Sequence, residues 1–371
     1  MKEDVVIIGG GLAGLASALS LAKAGLQVTL VEKKAYPFHR VCGEYVSNEV
    51  LPYLRMLGVQ LSSLGPARIS RFMLSSPTGK TLESKLDLGG FGLSRFTLDN
   101  YLYQLAQEQE ATFRLQQTVQ EVAFADDAFT LTLSGGESLH ARVVLGSYGK
   151  RSNLDRQLNR RFFRARSPYL GVKYHLRHDF PKDLIALHNF KDGYAGISAI
   201  EDDRYCFCYL TTRQNLKQHG SISAMEQEVL QRNPHLRRIF EEAEFLYEQP
   251  EVINEISFAT KTPVENHMLM CGDAAGMITP LCGNGMAMAI HSGKIAAEQV
   301  IKYFNNGHNR QQLEADYSHI WKQRFAKRLA VGRTVQQLFG SPVLSEVAVG
   351  LLKQAPSATR YIMRQTHGQP F

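Results

Sequence analysis

This chain of 371 residues has one tryptophan, Trp321, and five cysteines that form no recognisable pair. Cys42, Cys206, Cys208, Cys271 and Cys282 are odd in number and show no CxxC spacing, which excludes a zinc ribbon, a thioredoxin-type dithiol and a disulfide framework; they read as reduced thiols. No apolar run approaches the roughly 20 residues of a membrane span. No repeat or low-complexity tract interrupts the chain, and the first apolar strand begins at Val5, which leaves no room for a signal peptide. A cytoplasmic location is the expectation. There is no nucleophile elbow, Walker loop or zinc-protease helix. His175 and His178 stand three apart in a strand-like segment and would face opposite sides, so no shared metal is expected there.

What is present is ordinary globular composition, 44% hydrophobic and 21% charged, in a chain long enough for two domains sharing an interface. The net charge of +7 favours anionic partners. Arg156, Arg160, Arg161, Arg164 and Arg166 gather around Phe162 and Phe163 as a solvated basic linker; no nucleic-acid-binding motif accompanies them, and no nucleic-acid partner is expected. Farther on, Phe325, Leu329, Val335 and Phe339 fall near one face of a helix around Trp321, while Lys322, Arg324, Lys327, Arg328 and Arg333 crowd elsewhere. Core packing explains the apolar stripe, and peripheral contact with a membrane is the competing use.

Two motifs carry the chemistry. Val5-Val6-Ile7-Ile8 delivers the chain into Gly9-x-Gly11-x-x-Gly14 and a helix predicted from Leu15 to Ala24. Gly9 permits the tight turn, Gly11 lets the backbone approach a pyrophosphate, and Gly14 lets helix and strand close up. Ala13 shares this first turn, whose free N–H groups face an anion. A second strand, Gln27 to Val31, ends in Glu32, whose carboxylate suits ribose hydroxyls and repels a 2′-phosphate. Alone, this half leaves NAD and FAD open. The second motif, Cys271-Gly272-Asp273-Ala274-Ala275-Gly276, runs through Pro280 to Cys282-Gly283-Asn284-Gly285-Met286, ahead of a helix predicted from Met286 to Phe304. Together the two ends read as a flavin signature, and FAD is the expected cofactor.

Between these ends the pattern predicts a helix from Asn48 to Leu57, strands between Arg68 and Leu93, and a helix from Leu98 to Glu110. Hairpin-like strands follow from Thr118 to Leu133 and Leu139 to Leu145. From Tyr169 to Phe258 the pattern is mostly strand, with one helix near Met225 to Gln231, as suits an antiparallel sheet covering a substrate. Everything after Gln311 reads as helix. The expected fold is α/β: a discontinuous Rossmann-type FAD-binding domain (residues 1–60, 95–160 and 260–310), an antiparallel β-sheet substrate domain (61–94 and 161–259) and a C-terminal helical region (311–371).

These residues resemble the p-hydroxybenzoate hydroxylase-like superfamily of FAD enzymes, which includes aromatic monooxygenases, geranylgeranyl reductases and flavin halogenases. The resemblance spans essentially the whole chain and rests above all on Gly272-Asp273-Ala274-Ala275-Gly276 with Pro280, Gly283 and Gly285. It implies that Asp273 bonds the ribityl chain. Gly283, Asn284, Gly285 and Met286 then offer backbone N–H groups to the flavin ring, where a helix N-terminus stabilises the anionic reduced form. It also implies that Arg40 and Arg95 hold the phosphates and ribityl region and that Val119 meets the adenine. Cys42-Gly43-Glu44 is similar to the segment that passes the flavin ring in the reductase branch, and makes Cys42 a candidate for shaping the ring's surroundings. Tyr194 and Tyr209 are the further candidate pocket residues, with cross-strand packing as their plainer role.

The chain departs from the superfamily in three places. Gly146-Ser147-Tyr148-Gly149 carries tyrosine where the hydroxylases have an acid that organises FAD and the nicotinamide donor, so NAD(P)H is a candidate donor without its usual mode of engagement. A lone tryptophan excludes the Trp-x-Trp halogenases. Gly193-Tyr194-Ala195-Gly196 lacks the tryptophan frequent in the reductase branch, which implies a differently shaped cavity. Three functions follow in order: a monooxygenase hydroxylating a hydrophobic or phenolic substrate through a flavin C4a-hydroperoxide, a reductase of prenyl or lipid double bonds, and a flavin-binding module without turnover.

Overall fold

The computed structural model describes residues 2–371 apart from residues 166, 280–282, 340 and 367, and excluding the side chains of residues 2, 337–339, 356 and 366. Among the described residues the strands form two sheets. In the first, Lys2–Ile8 lies between Val28–Glu32 and Ser138–Gly146, parallel to both. Thr112–Leu115 continues the sheet beyond Val28–Glu32, and Met268–Met270 continues it beyond Ser138–Gly146. A parallel strand is covered on both faces, which is why Val5 to Ile8 is apolar without alternation. The strand order runs outward in both directions from Lys2–Ile8, so a crevice opens at the carboxyl ends of the strands. The Gly9 turn and the Gly272-Asp273 turn both lie at that edge.

The helix predicted from Leu15 begins at Leu12, because the glycine motif is itself the first turn and Gly11 is the N-cap. Its partner, Gly285–Asn305, packs across it so closely that a Cβ on Gly293 would lie 2.5 Å from the Ala13 carbonyl oxygen. The helix expected from Leu98 starts at Arg95, where the Ser94 hydroxyl accepts the Thr97 N–H.

The second sheet runs Glu244–Phe245, Tyr169–Arg177, Tyr205–Thr212, Gly193–Ala199, Leu184–Phe190, Ala67–Ser75, Thr81–Gly92, Tyr45–Ser47, with Glu251–Ile256 also on Tyr169–Arg177. It is antiparallel except where Leu184–Phe190 meets Ala67–Ser75. Tyr45–Ser47, inside the stretch assigned from sequence to the FAD domain, pairs here with Thr81–Gly92. One face is covered by the helices Arg213–His219, Ile222–Glu228 and Pro234–Glu242. The sequence reading placed one helix in this stretch. The helices are too short for a sustained period, but their caps were legible: Thr212, Ser221 and Asn233 each accept an N–H of the first turn.

The chain ends in the helices Arg310–Phe339, Pro342–Gln354 and Pro356–Thr366. Trp321, Phe325 and Leu329 are buried in the core of the FAD domain, so this part of the stripe is packing surface. Val335 belongs to a separate apolar cluster, and the Phe339 side chain lies outside the described residues.

Candidate flavin site

The glycine turn is built against the end of Ser138–Gly146. Gly9 has φ +100°, and a Cβ there would lie 2.6 Å from the Ser147 carbonyl oxygen. A Cβ on Gly14 would lie 2.1 Å from the Gly9 carbonyl oxygen. Gly11 differs: the nearest atom to its Cβ would be Arg95 Nη2 at 3.8 Å, so the space before it is open. No side chain caps the helix that follows, which leaves its first N–H groups facing this space. Glu32 closes the turn by accepting the Gly10 N–H at 2.8 Å. Val119 is buried at the start of its strand, two residues beyond Gln117, whose N–H bonds the Glu32 carbonyl.

Arg40 and Arg95 are not surface ion pairs. Both reach the buried carboxylate of Asp99: Arg95 in a bidentate pair at 2.6 and 2.7 Å, and Arg40 through Nε at 3.1 Å. Burial pulls the Arg95 pKa down, but Asp99 outweighs it and the net shift is upward, so the cation beside Gly11 is permanent. Arg40 also bonds the Gly10 carbonyl and Glu32. Asp99 was missed in the sequence; its signal was its spacing four residues after Arg95 on a helix.

At the other end, Gly272 has φ +59°, and its N–H bonds the Ser292 hydroxyl at 2.7 Å. The Ala13 side chain packs against this same glycine. Burial raises the Asp273 carboxyl pKa, while Lys261, Arg95 and Lys150 pull it down. A Cβ on Gly272 would lie 3.2 Å from the Ala13 Cβ, which sets the second turn against the first helix. Burial holds the ammonium groups of Lys150 and Lys261 at about 8. Lys261 donates to the carbonyls of Lys150 and Asp273, which ties the turn in place. Gly283, Asn284, Gly285 and Met286 follow, with Asn284 as N-cap of Gly285–Asn305. Gly283 has φ +62° and faces the Tyr45 ring. Pro280 lies outside the described residues.

The Cys42-Gly43-Glu44 segment enters a buried ionic cluster that the sequence did not reveal. Glu44, at φ +54°, takes Lys173 Nζ at 2.5 Å, His175 Nε2 at 2.6 Å and the Arg95 N–H at 2.9 Å. Burial works to raise its carboxyl, but Lys173 and then His175 overcome this and hold it at about 2. Tyr247 Oη lies 2.9 Å from His175 Nδ1 and 3.1 Å from His39 Nδ1. Glu44, His175 and Cys206 bring one donor atom each within 4.8 Å. Lys173 already supplies the cation there, so the arrangement is an ion-paired latch and no metal is needed to balance it. Burial pushes the Cys42 thiol above its ordinary value, with Arg95 opposing, so it is not held as a thiolate.

Sheet register separates the two candidate tyrosines. Tyr194 pairs with Leu210 and Tyr209 with Ala195, so the two side chains point to opposite faces. Tyr194 joins Leu74, Leu187, Leu210, Ile256 and Val349 in an apolar layer on the face that also carries Lys173, His175 and Cys206; Met277, just past the Gly-Asp turn, packs against it. Tyr209 lies under the helix Ile222–Glu228 and donates to Glu226 at 2.7 Å. The expected placement of Tyr209 in a pocket with Cys42 and Tyr194 is therefore corrected. Tyr148, in the position of the hydroxylase acid, donates at 3.0 Å to Asp155, which is itself paired with buried Arg160.

The donor set fits FAD. An uncapped helix start with a fixed guanidinium suits a pyrophosphate, the Glu32 carboxylate beside the same turn suits ribose hydroxyls, and the Gly272-Asp273 turn packs against that helix at Ala13. Rossmann core, Gly-Asp turn and covering sheet together define an FAD-dependent oxidoreductase of the p-hydroxybenzoate hydroxylase-like superfamily. Residues 2–330 match the FAD binding domain family, and the chain belongs to it. It is 25% identical over 361 residues to digeranylgeranylglycerophospholipid reductase 2 of Methanopyrus kandleri, covering 91% of this chain and 87% of that protein. Its fold is similar to that of the flavin-dependent brominase Bmp2, with TM-score 0.81, 18% identity and coverage of 99% and 93% of the two chains. It is also similar to a geranylgeranyl bacteriochlorophyll reductase-like protein of Thermoplasma acidophilum, with TM-score 0.79, 17% identity and coverage of 98% and 96%. Among the described residues, no helix is long and apolar enough to cross a membrane.

Proposed function

We propose that this flavoprotein reduces a carbon–carbon double bond in a lipophilic, prenyl-type chain. The observation that carries this reading is the aliphatic layer formed by Leu74, Leu187, Leu210 and Ile256 around Tyr194, against which Met277, just past the Gly-Asp turn, packs. Bound FAD supplies two-electron chemistry to such a chain. The protein contributes an apolar surface that orients the substrate and excludes water, Arg95 and Asp273 that hold the cofactor, and the phenol of Tyr194 as the candidate proton donor to the chain. Similarity to a digeranylgeranylglycerophospholipid reductase supports a lipid substrate. Hydroxylation of a phenol stands behind reduction, because the buried ionisable groups on this face, Glu44, Lys173 and His175, are satisfied by one another and offer no evident base for ionising a phenol. The electron donor is proposed to be a reduced nicotinamide.

The test is anaerobic absorbance spectroscopy of the FAD-loaded protein, chemically reduced and mixed with detergent-dispersed prenyl lipid. Reoxidation without oxygen is the expected outcome. Reoxidation only on admitting oxygen, with a phenolic candidate being hydroxylated, would replace reduction by the monooxygenase reading.

A further inference from the structure

Exposed apolar side chains are unevenly distributed over this molecule. Six of the ten large ones among the described residues lie in the last two helices: Val343, Leu344, Val347, Leu351, Tyr361 and Ile362. The first four stand at i, i+1, i+4 and i+8 of Pro342–Gln354 and form one ridge. The opposite side of that helix is inward: Ser345 and Val349 are buried, and Val349 and Leu352 pack on the aliphatic layer beside Tyr194. This helix therefore covers part of that layer and carries apolar side chains on both faces.

This segment is strapped to the body of the protein. Arg364 pairs with Asp87 at 2.7 Å. Beyond the last helix, the Phe371 ring stacks on His291 at 3.8 Å and its N–H bonds the Glu49 carbonyl. The exposed ridge is thus a held surface. Its charge is one-sided: between Pro342 and Phe371 stand Lys353, Arg360 and Arg364, the last paired with Asp87, against one acid, Glu346, which is bonded to the Thr78 N–H and paired with Lys80.

We infer that the outer face of Pro342–Gln354, with Tyr361 and Ile362, docks on an anionic lipid bilayer and presents the aliphatic layer behind it to the membrane. Apolar side chains enter the acyl boundary while Lys353 and Arg360 meet lipid phosphates, the division of labour of an interfacial helix. The link between docking and substrate capture rests on the proposed lipophilic substrate; the docking surface does not.

The test is co-sedimentation of full-length, FAD-loaded protein with phosphatidylcholine vesicles with and without phosphatidylglycerol. Salt-sensitive binding to the anionic vesicles is expected, falling at least roughly tenfold in V347E/L351E and about fivefold for each cation removed in K353Q/R360Q. An unchanged flavin spectrum reports an intact fold, and if V347E/L351E does not fold, K353Q/R360Q decides. The inference is overturned if the parent protein does not bind vesicles, if V347E/L351E binds equally well, or if sedimentation velocity shows a dimer that V347E/L351E dissolves, which assigns the face to a second copy. Loss of lipid-driven flavin reoxidation in detergent with vesicle binding intact would refute the proposed reaction alone.

Discussion

Lys173 Nζ stands 2.5 Å from Glu44 Oε1, and neither side chain is exposed to solvent. The pair joins the loop behind Cys42 to the second sheet, so it fixes where that loop sits relative to the sheet. Removing one partner strands a buried charge. E44Q is expected to cost about 3–5 kcal/mol in denaturant unfolding, and E44Q/K173M to recover much of it. A single variant as stable as the parent would remove the latch role.

The same carboxylate gives a pH signature. Its ordinary pKa of 4.5 falls to about 2 in the folded protein. Its stabilising contribution is therefore fully present above about pH 4.5 and is lost as pH falls through about 2, where the folded carboxylate takes up its proton. Acid unfolding of E44Q should lack this component. Parallel stability curves for the two proteins between pH 2 and 5 would contradict the assignment.

Two glycines of one motif should fail differently. G14A drives a methyl to 2.1 Å from the Gly9 carbonyl oxygen, so the fold itself should lose about 2 kcal/mol or more. G11A meets nothing closer than 3.8 Å and should melt like the parent without cofactor. It should nevertheless bind FAD more weakly, because its methyl occupies the approach to the pyrophosphate. Thermal melts of apoprotein and a fluorescence titration with FAD separate the two, and parental FAD affinity in G11A would sink the placement.

Asp99 holds both arginines beside the glycine turn, so D99N is expected to weaken FAD binding by roughly ten- to a hundredfold, the worth of hydrogen bonds to charged groups. D273A should also lower FAD retention. Full FAD occupancy with unaltered visible spectra in D273A would remove Asp273 from the ribityl position.

Opposite faces of the sheet predict opposite outcomes for two tyrosines. Y209F removes a bond to Glu226 that Tyr174 still supplies, so about 1 kcal/mol of stability should be lost while the flavin spectrum on adding prenyl lipid stays parental. Y194F should alter that lipid response. If Y209F alone changes it, the face assignment fails.

The Rossmann core and both cofactor turns were legible in the chain because each is a local rule: an apolar strand, glycines where a Cβ would collide, and an acid at the end of the next strand. Arg40 and Arg95 were legible as candidates, but their shared partner Asp99 was not, since its meaning appears only when the loop and helix converge. Of the three short helices over the second sheet, the one near Met225 was legible, while Arg213–His219 and Pro234–Glu242 were missed because seven to nine residues give at most one repeat of a helical face.

What the sequence determined by itself is the cofactor class and the order of the parts that hold it, since strand, turn and helix start follow from neighbours a few residues apart. Tertiary structure alone decided which side chains meet. Glu44 finds Lys173 and His175 about 130 positions away, and Tyr194 and Tyr209 part company through a register that puts alternate residues on opposite faces. Long-range pairing of this kind is set by how sheets and helices stack, and no local pattern in the chain encodes it.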